Sequence, residues 1–112
     1  MPATSLGNAG IQRVLLGEPR GDGSPVLLGV TVIQAGKTSP MIKHDSAEVA
    51  YVLSGTGSMV TDTASFPFAT GNAILIGEHC WHAIRAGEEQ VQMLYVFPGA
   101  SPPPTTRLDE EP

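Results

Sequence analysis

The chain has 112 residues, of which 41% are hydrophobic and 15% charged, and its net charge is −5. This length suits one domain with its own hydrophobic core and is too short for two. The six lysines and arginines form no basic run, which argues against a nucleic-acid partner, and no apolar run reaches the roughly 18 residues of a membrane span.

Short apolar segments separated by glycine and proline predict a chain built from strands. There are 13 glycines and 10 prolines, spaced as turns between these segments. Strands are predicted, in chain order, at residues 12–16, 25–35, 41–44, 48–53, 58–62, 73–76, 82–85 and 90–97. No segment keeps helical spacing of apolar residues over three turns, so no long helix is expected. The pattern indicates an all-β sandwich or closed barrel.

The two ends of the chain differ in composition from its centre. Residues 1–10 are small and polar and predict a flexible segment without the features of a signal peptide. Residues 98–112 contain three consecutive prolines and an acidic end, which predict an extended or disordered tail that adds little to stability. The barrel would then span residues 11–97. The single cysteine, Cys80, excludes an internal disulfide, and we expect a cytoplasmic protein.

Three side chains of the metal-binding type stand in two short clusters. His44 and Glu48 are four residues apart, so in an extended chain they share a face, and Ile42 shares it too. His82 opens a later strand, which an antiparallel barrel can bring beside the first two. Two imidazoles and one carboxylate suit iron, manganese, nickel, copper or zinc, with positions left open for water or substrate. The alternatives are hydrogen-bonded core histidines and an outward-facing, solvated Glu48.

The first cluster belongs to a longer run of fixed spacings. It reads Gly36-x5-Ile42-x-His44-x3-Glu48-x6-Gly55. This resembles the first cupin motif, which has glycine, five residues, histidine, one residue, histidine, three or four residues, glutamate, six residues and glycine. Ile42 is the departure, because it stands where the family usually has its first histidine ligand.

The second cluster also resembles a cupin motif. It reads Gly71-x5-Gly77-x-His79-x2-His82, against glycine, five residues, proline, one residue, glycine, two residues and histidine in the family. Gly77 replaces the usual proline, His79 replaces the glycine, and Ala86 stands where a final asparagine is common. The resemblance spans roughly residues 26–97.

The resemblance implies an all-β fold with a single cupin β-barrel, also described as a double-stranded β-helix or jelly roll. Cupins are often dimeric, and many hold a divalent metal inside the barrel. A homodimer is also favoured by residues 26–33, which are apolar on both faces and call for cover on each side. For this chain the implied metal ligands are His44, Glu48 and His82.

The predicted function is that of a metal-binding cupin enzyme acting on a small organic molecule by oxygenase, cyclase, isomerase or lyase chemistry. The alternative is a non-catalytic cupin that binds a small ligand or assists another protein, with a weak or absent metal site, because Ile42 removes one ligand. The candidate pocket residues are Ile42, Met59, Cys80, Ile84, Met93 and Tyr95. The catalytic group cannot be assigned from the sequence, but Tyr51, His79 and Tyr95 are candidates for it. Two of these residues also have plainer interpretations: Cys80 as a buried inert thiol and His79 as a turn residue.

Overall fold

The computed structural model describes residues 3–110, which form eleven short strands and two 3-10 turns, Glu18–Arg20 and Leu108–Glu110. None of the described helical turns is long or apolar enough to cross a membrane. The strands are β1 (Thr4–Ser5), β2 (Gly10–Leu16), β3 (Leu27–Ile33), β4 (Ile42–His44), β5 (Glu48–Ser54), β6 (Gly57–Thr61), β7 (Ser65–Phe68), β8 (Ala73–Ile76), β9 (His82–Ala86), β10 (Val91–Phe97) and β11 (Thr105–Arg107).

The strands build two antiparallel sheets. The larger sheet has the order β1-β2-β3-β10-β5-β8, and the smaller one has the order β11-β4-β9-β6-β7. β4 and β5 follow each other in the chain but lie in different sheets, so the short connection between them crosses from one sheet to the other. The prediction of an all-β fold is confirmed.

Alternation of side chains puts the core between the sheets. In β3 and β10 every second residue is buried and the residues between are more exposed, as expected for strands with one face toward the core. The main core cluster draws on both sheets and comprises Ile33, Ala50, Val52, Met59, Phe68, Ile76, Ala86, Val91 and Met93. The same inward face carries the polar side chains of the candidate site.

Gly29 lies in the middle of β3, where a glycine normally weakens a strand. Its register partner in β10 is Tyr95. A Cβ atom at position 29 would lie 2.2 Å from Cζ and Oη of that tyrosine, which is far inside van der Waals contact. The glycine is therefore required because the Tyr95 ring lies across it.

All eight predicted strands are present, and three further strands were not predicted. Of these, β7 contains Pro67, which has no N–H for a ladder, so a proline-containing segment argues against a central strand. β7 pairs only with β6 and is the edge of its sheet, which is the position where proline is tolerated. The other two, β1 and β11, are too short to show a pattern.

The end segments of the chain take part in the sheets. β1 pairs with β2, and β11 pairs with β4 in the register Thr105↔His44. The tail expected to be extended or disordered is thus extended over residues 105–107 and paired with the strand that carries a predicted metal ligand. The division into a flexible segment 1–10, a barrel 11–97 and a tail 98–112 otherwise stays a prediction.

Candidate metal centre

The three predicted ligands come together at the core face of the two sheets. His44 is the last residue of β4, Glu48 the first of β5, and His82 the first of β9. Their exposed fractions are 8%, 9% and 5%, so all three are buried. Because β4 and β9 are neighbours and β5 belongs to the other sheet, the cluster joins the sheets at one point.

The ligand-type atoms have the spacing of a coordination shell. Oε1 of Glu48 lies 3.3 Å from Nε2 of His44 and 3.5 Å from Nε2 of His82. One ligand atom from each residue lies within 4.8 Å of the other two. Two ligands at about 2.1 Å from a common metal ion are about 3.0 to 3.4 Å apart in octahedral or tetrahedral geometry. The spacing therefore fits one ion between the three side chains.

Glu48 has a buried oxygen without a hydrogen-bond partner. Neither imidazole nitrogen reaches Oε1 with hydrogen-bond geometry, and this oxygen is the one unsatisfied buried side-chain atom found among the described residues. Burial by itself raises the pKa of Glu48, but the neighbouring imidazoles of His44 and His82 outweigh it and hold the pKa below its ordinary value. Glu48 is therefore an ionised carboxylate at neutral pH, and its buried charge calls for a positive partner, either a proton on a neighbouring imidazole or a bound cation.

Each imidazole ring has a partner at Nδ1, and its Nε2 faces this carboxylate. Nδ1 of His82 lies 2.9 Å from the carbonyl oxygen of Cys80. Because a carbonyl oxygen only accepts, Nδ1 carries a proton, so that in the neutral ring Nε2 has the lone pair. Nδ1 of His44 is likewise engaged, at 2.7 Å from Oγ1 of Thr105. Hydrogen-bond partners of this kind, a backbone carbonyl or a side-chain oxygen at the second ring nitrogen, commonly orient metal-binding histidines. Neither partner was predicted from the sequence.

A cavity of about 220 Å³ adjoins the three ligands. The predicted pocket residues Ile42, Met59, Ile84 and Met93 line it. Two parts of the lining were not predicted: a polar wall formed by Gln12, Thr31 and Ser39, and residues of the two end segments, Thr4, Ser5, Leu6, Thr105 and Arg107. No spacing in the end segments relates them to the ligands, so only the three-dimensional pairing of β1 and β11 places them there.

The other two predicted pocket residues line neighbouring cavities. Cys80 lines a cavity of about 480 Å³ between β7 and β8, which Met59 and His82 also line, and it packs against the main core. Cys80 lies in irregular chain between the turn at Glu78 and His79 and the start of β9, so strand parity does not fix the direction of its side chain. Tyr95 lines a third cavity of about 200 Å³, beside His44. Burial, together with the charge of Glu48, raises the pKa of Tyr95 to about 12.

The other two catalytic candidates do not line the cavity beside the ligands. Tyr51 is 44% exposed and points from β5 to the side opposite Glu48. The side chain of His79 is 59% exposed, and its Nδ1 lies 3.4 Å from Oδ1 of Asp45. The predicted turn role of His79 is confirmed by its φ of 62°, and its backbone N–H donates to the carbonyl oxygen of His44. His79 thus ties the turn before β9 to β4.

The fold and the site agree with a family match. A model of the cupin domain matches residues 29–97, more than half of the chain. The chain belongs to the cupin family. No curated protein matches the sequence significantly.

Solved structures show the same barrel at low sequence identity. The polyketide cyclase RemF from Streptomyces resistomycificus has a TM-score of 0.77 at 22% identity, over 89% of this chain and 71% of RemF. Oxalate decarboxylase from Lactobacillus farciminis has a TM-score of 0.85 at 20% identity, over 98% of this chain and 34% of the decarboxylase. A cupin 2 conserved barrel domain protein from Salinispora arenicola has a TM-score of 0.71 at 24% identity, over 83% and 78%. These likenesses establish the barrel fold, as the resemblance had predicted.

Proposed function

We propose that this cupin holds one first-row divalent metal ion through His44, Glu48 and His82 and acts as an enzyme on a small organic molecule in the adjoining cavity. The observation that carries the proposal is the buried oxygen of Glu48, which has two imidazole nitrogens at 3.3 and 3.5 Å and no hydrogen-bond partner. A metal ion between these atoms would compensate the buried carboxylate charge and would use the lone pairs of both neutral imidazoles.

The donor set narrows the metal to iron, manganese, nickel, copper or zinc, since imidazole and carboxylate suit all five. When bound, such an ion supplies Lewis-acid polarisation of an oxygen atom in the organic molecule. The chain itself supplies the surroundings. Ile42, Ile84 and Met93 form an apolar wall beside the ligands, while Gln12 and Thr31 offer polar atoms that can orient a substrate.

Two further observations support an enzyme. A cavity of about 220 Å³ has room for a small organic molecule beside the ligands. Two similar structures, RemF and oxalate decarboxylase, carry the names of enzymes. The pKa of Tyr95, which is raised to about 12, keeps its phenol protonated at neutral pH, so it does not serve as a base.

Metal analysis tests the metal part of the proposal. Purified protein is loaded with an equimolar mixture of the five metals, desalted and examined by elemental analysis. One equivalent of metal is expected for the wild type and for His79→Ala, which removes the only histidine outside the cluster. His44→Ala and His82→Ala should lose the metal, because three ligands leave no redundancy. A wild-type protein without metal would refute the metal site.

A second candidate function is that of a non-catalytic cupin that binds a small ligand. It is favoured by the lining of the cavity, which includes neither Tyr51 nor His79. Among residues 3–110, the ionisable residues that line it are the three ligands and Arg107, which is always protonated and cannot serve as a base. The two candidates differ in the dependence of ligand binding on metal. A thermal-shift screen of small organic molecules, run with and without the bound metal, should give metal-dependent hits for the enzyme and metal-independent hits for the binding protein.

We also propose a homodimer. The outer face of the larger sheet carries exposed apolar side chains, with Val49 and Leu75 paired in register at 48% and 76% exposure. Residues 26–33 first suggested this interface, but their outward side chains are only half-exposed. Their strand, β3, lies between β2 and β10, whose side chains flank them. The proposed interface is therefore centred on β5 and β8. A cytoplasmic location stays a prediction from the sequence.

A further inference from the structure

The C-terminal strand β11 reaches into the metal centre. Thr105 pairs with His44 in the β11–β4 ladder, although the two residues are 61 positions apart in the chain. Its Oγ1 lies 2.7 Å from Nδ1 of the His44 ring. This contact is short and joins a tail residue to a predicted metal ligand.

The hydrogen atoms of this contact can be assigned. A threonine hydroxyl has one proton to donate, and Oγ1 of Thr105 also lies 3.1 Å from the carbonyl oxygen of Pro103. That carbonyl can only accept, so the hydroxyl donates to Pro103 and accepts from the Nδ1–H of His44. In the neutral ring this leaves the lone pair on Nε2, the nitrogen that lies 3.3 Å from Oε1 of Glu48.

β11 also holds the strand on which His44 lies. β4 has only three residues, and its ladder with β9 consists of the single register pair Ile42↔His82. The opposite edge of β4 is paired with β11 over all three of its residues. Two flanking hydrogen bonds extend this contact, from the N–H of Asp45 to the carbonyl of Pro104 and from the N–H of Leu108 to the carbonyl of Met41.

We propose that Thr105 is the positioning residue of His44. It fixes the ring orientation and the Nδ1–H tautomer, so that Nε2 faces the metal position, and it makes the C-terminal strand a part of the centre. The effect on metal affinity rests on the proposed function. The effect on the tautomer does not, because the hydrogen bond exists in the protein without metal.

The test compares Thr105→Val, which removes the hydroxyl, with Thr105→Ser, which keeps it. Thr106→Val is the matched control, because Thr106 is the next residue of the same strand and pairs with Lys43. Circular dichroism and the melting temperature establish that each variant is folded. Should the valine variant not fold, the serine variant and the wild type still report the tautomer.

The first readout is the tautomer of His44 in metal-free protein, from long-range proton–nitrogen NMR correlations of the ring at mildly alkaline pH. The wild type, Thr105→Ser and Thr106→Val should show Nδ1–H, and Thr105→Val should lose this single tautomer. A wild-type ring protonated at Nε2, or a valine variant with an unchanged tautomer, would overturn the inference.

The second readout is the affinity for Zn²⁺ measured by competition with a chelator. Thr105→Val should bind about 10–100-fold more weakly than the wild type, as is common when the hydrogen-bond partner of a metal-binding histidine is lost. Thr106→Val should bind as the wild type does. Equal affinity of Thr105→Val and wild type would refute the role of Thr105 in binding while the metal site stands. If no variant binds metal but the tautomer moves as expected, the proposed function fails and the positioning role remains.

Discussion

Ile42 lies directly opposite His82 in the antiparallel pair of β4 and β9. Directly opposite residues have Cβ atoms about 4.5–5.5 Å apart on the same face of a sheet. Ile42 also lines the cavity beside the ligands. The position that lacks the usual cupin histidine thus still faces the candidate metal centre, as strand parity had predicted.

Ile42→His should therefore add a fourth ligand. We expect the affinity for Zn²⁺ or Mn²⁺ to rise by at least about tenfold, which corresponds to about 1.4 kcal/mol. Lys43→His is the control, because residue 43 points to the other face of β4, where the lysine packs over the Trp81 ring at 4.6 Å. Isothermal titration of both variants measures the difference. Equal affinities in the two variants would contradict the placement of residue 42.

Tyr95 should titrate far above an ordinary tyrosine. Tyr51→Phe leaves it as the sole tyrosine, so that absorbance near 295 nm follows its ionisation alone. We expect a pKa of about 12, caused first by burial and then by the charge of Glu48. Adding Glu48→Gln should lower this pKa, while burial keeps it above the ordinary value. A pKa that does not respond to Glu48→Gln would mean that the carboxylate charge does not reach the ring.

The raised pKa of Tyr95 also predicts a pH dependence of stability. The folded protein keeps the phenol proton to higher pH than the unfolded chain, whose tyrosines titrate near 10. The stabilising contribution is therefore complete below about pH 10 and is lost as the pH rises to about 12. Urea unfolding of wild type and Tyr95→Phe across this range should show the difference between their free energies of unfolding shrinking with pH. A constant difference would contradict the shift.

Removing β11 should destabilise the barrel, which revises the expectation drawn from the composition of the tail. A chain that ends at Ser101 loses the ladder with β4 and leaves Nδ1 of His44 without Thr105. Loss of this strand pairing should lower the melting temperature by at least about 4 °C, the equivalent of about 1 kcal/mol. A chain that ends at Leu108 keeps the strand and serves as the control. Equal melting temperatures would show that the tail contributes little.

The proposed dimer should depend on the outer face of the larger sheet. Leu75→Asp places a charge on the proposed interface, at an apolar residue that is 76% exposed, and should convert a dimer of twice 11.7 kDa to a monomer in light scattering at micromolar concentration. Phe66→Asp is the control, because Phe66 is 58% exposed on the edge strand of the smaller sheet. A monomeric wild type would refute the dimer. Dissociation by Phe66→Asp and not by Leu75→Asp would show that the interface lies on the smaller sheet.

The sequence predicted the parts of the molecule that repeat a local pattern. Strands with alternating burial were found because their periodicity is visible over seven residues, as in β3 and β10. The ligands were found because two spacings place His44, Glu48 and His82 on inward faces. β11 has only three residues and no alternation of burial. It forms because it pairs with the edge of β4, and this distant partner cannot be recognised from the sequence of the tail.

The differences at the site have equally physical causes. Cys80 precedes β9 in irregular chain, where side chains do not alternate, and it lines a neighbouring cavity that it shares with His82. Tyr51 has the parity opposite to Glu48 on the same strand, which already placed it outside. Thr105 could not be predicted, because its role arises from a contact with a residue 61 positions away and it follows three prolines.

The close approach of Gly29 and Tyr95 couples two positions that are far apart in the sequence. A Cβ at position 29 would overlap the phenol ring, so any larger residue there requires a smaller one at position 95. Among related barrels these two positions should therefore covary in size, with glycine accompanying an aromatic ring and alanine or larger accompanying a shorter side chain. The same rule defines a compensating pair: Gly29→Ala alone disrupts packing beside His44, and Tyr95→Leu in the same chain should relieve it.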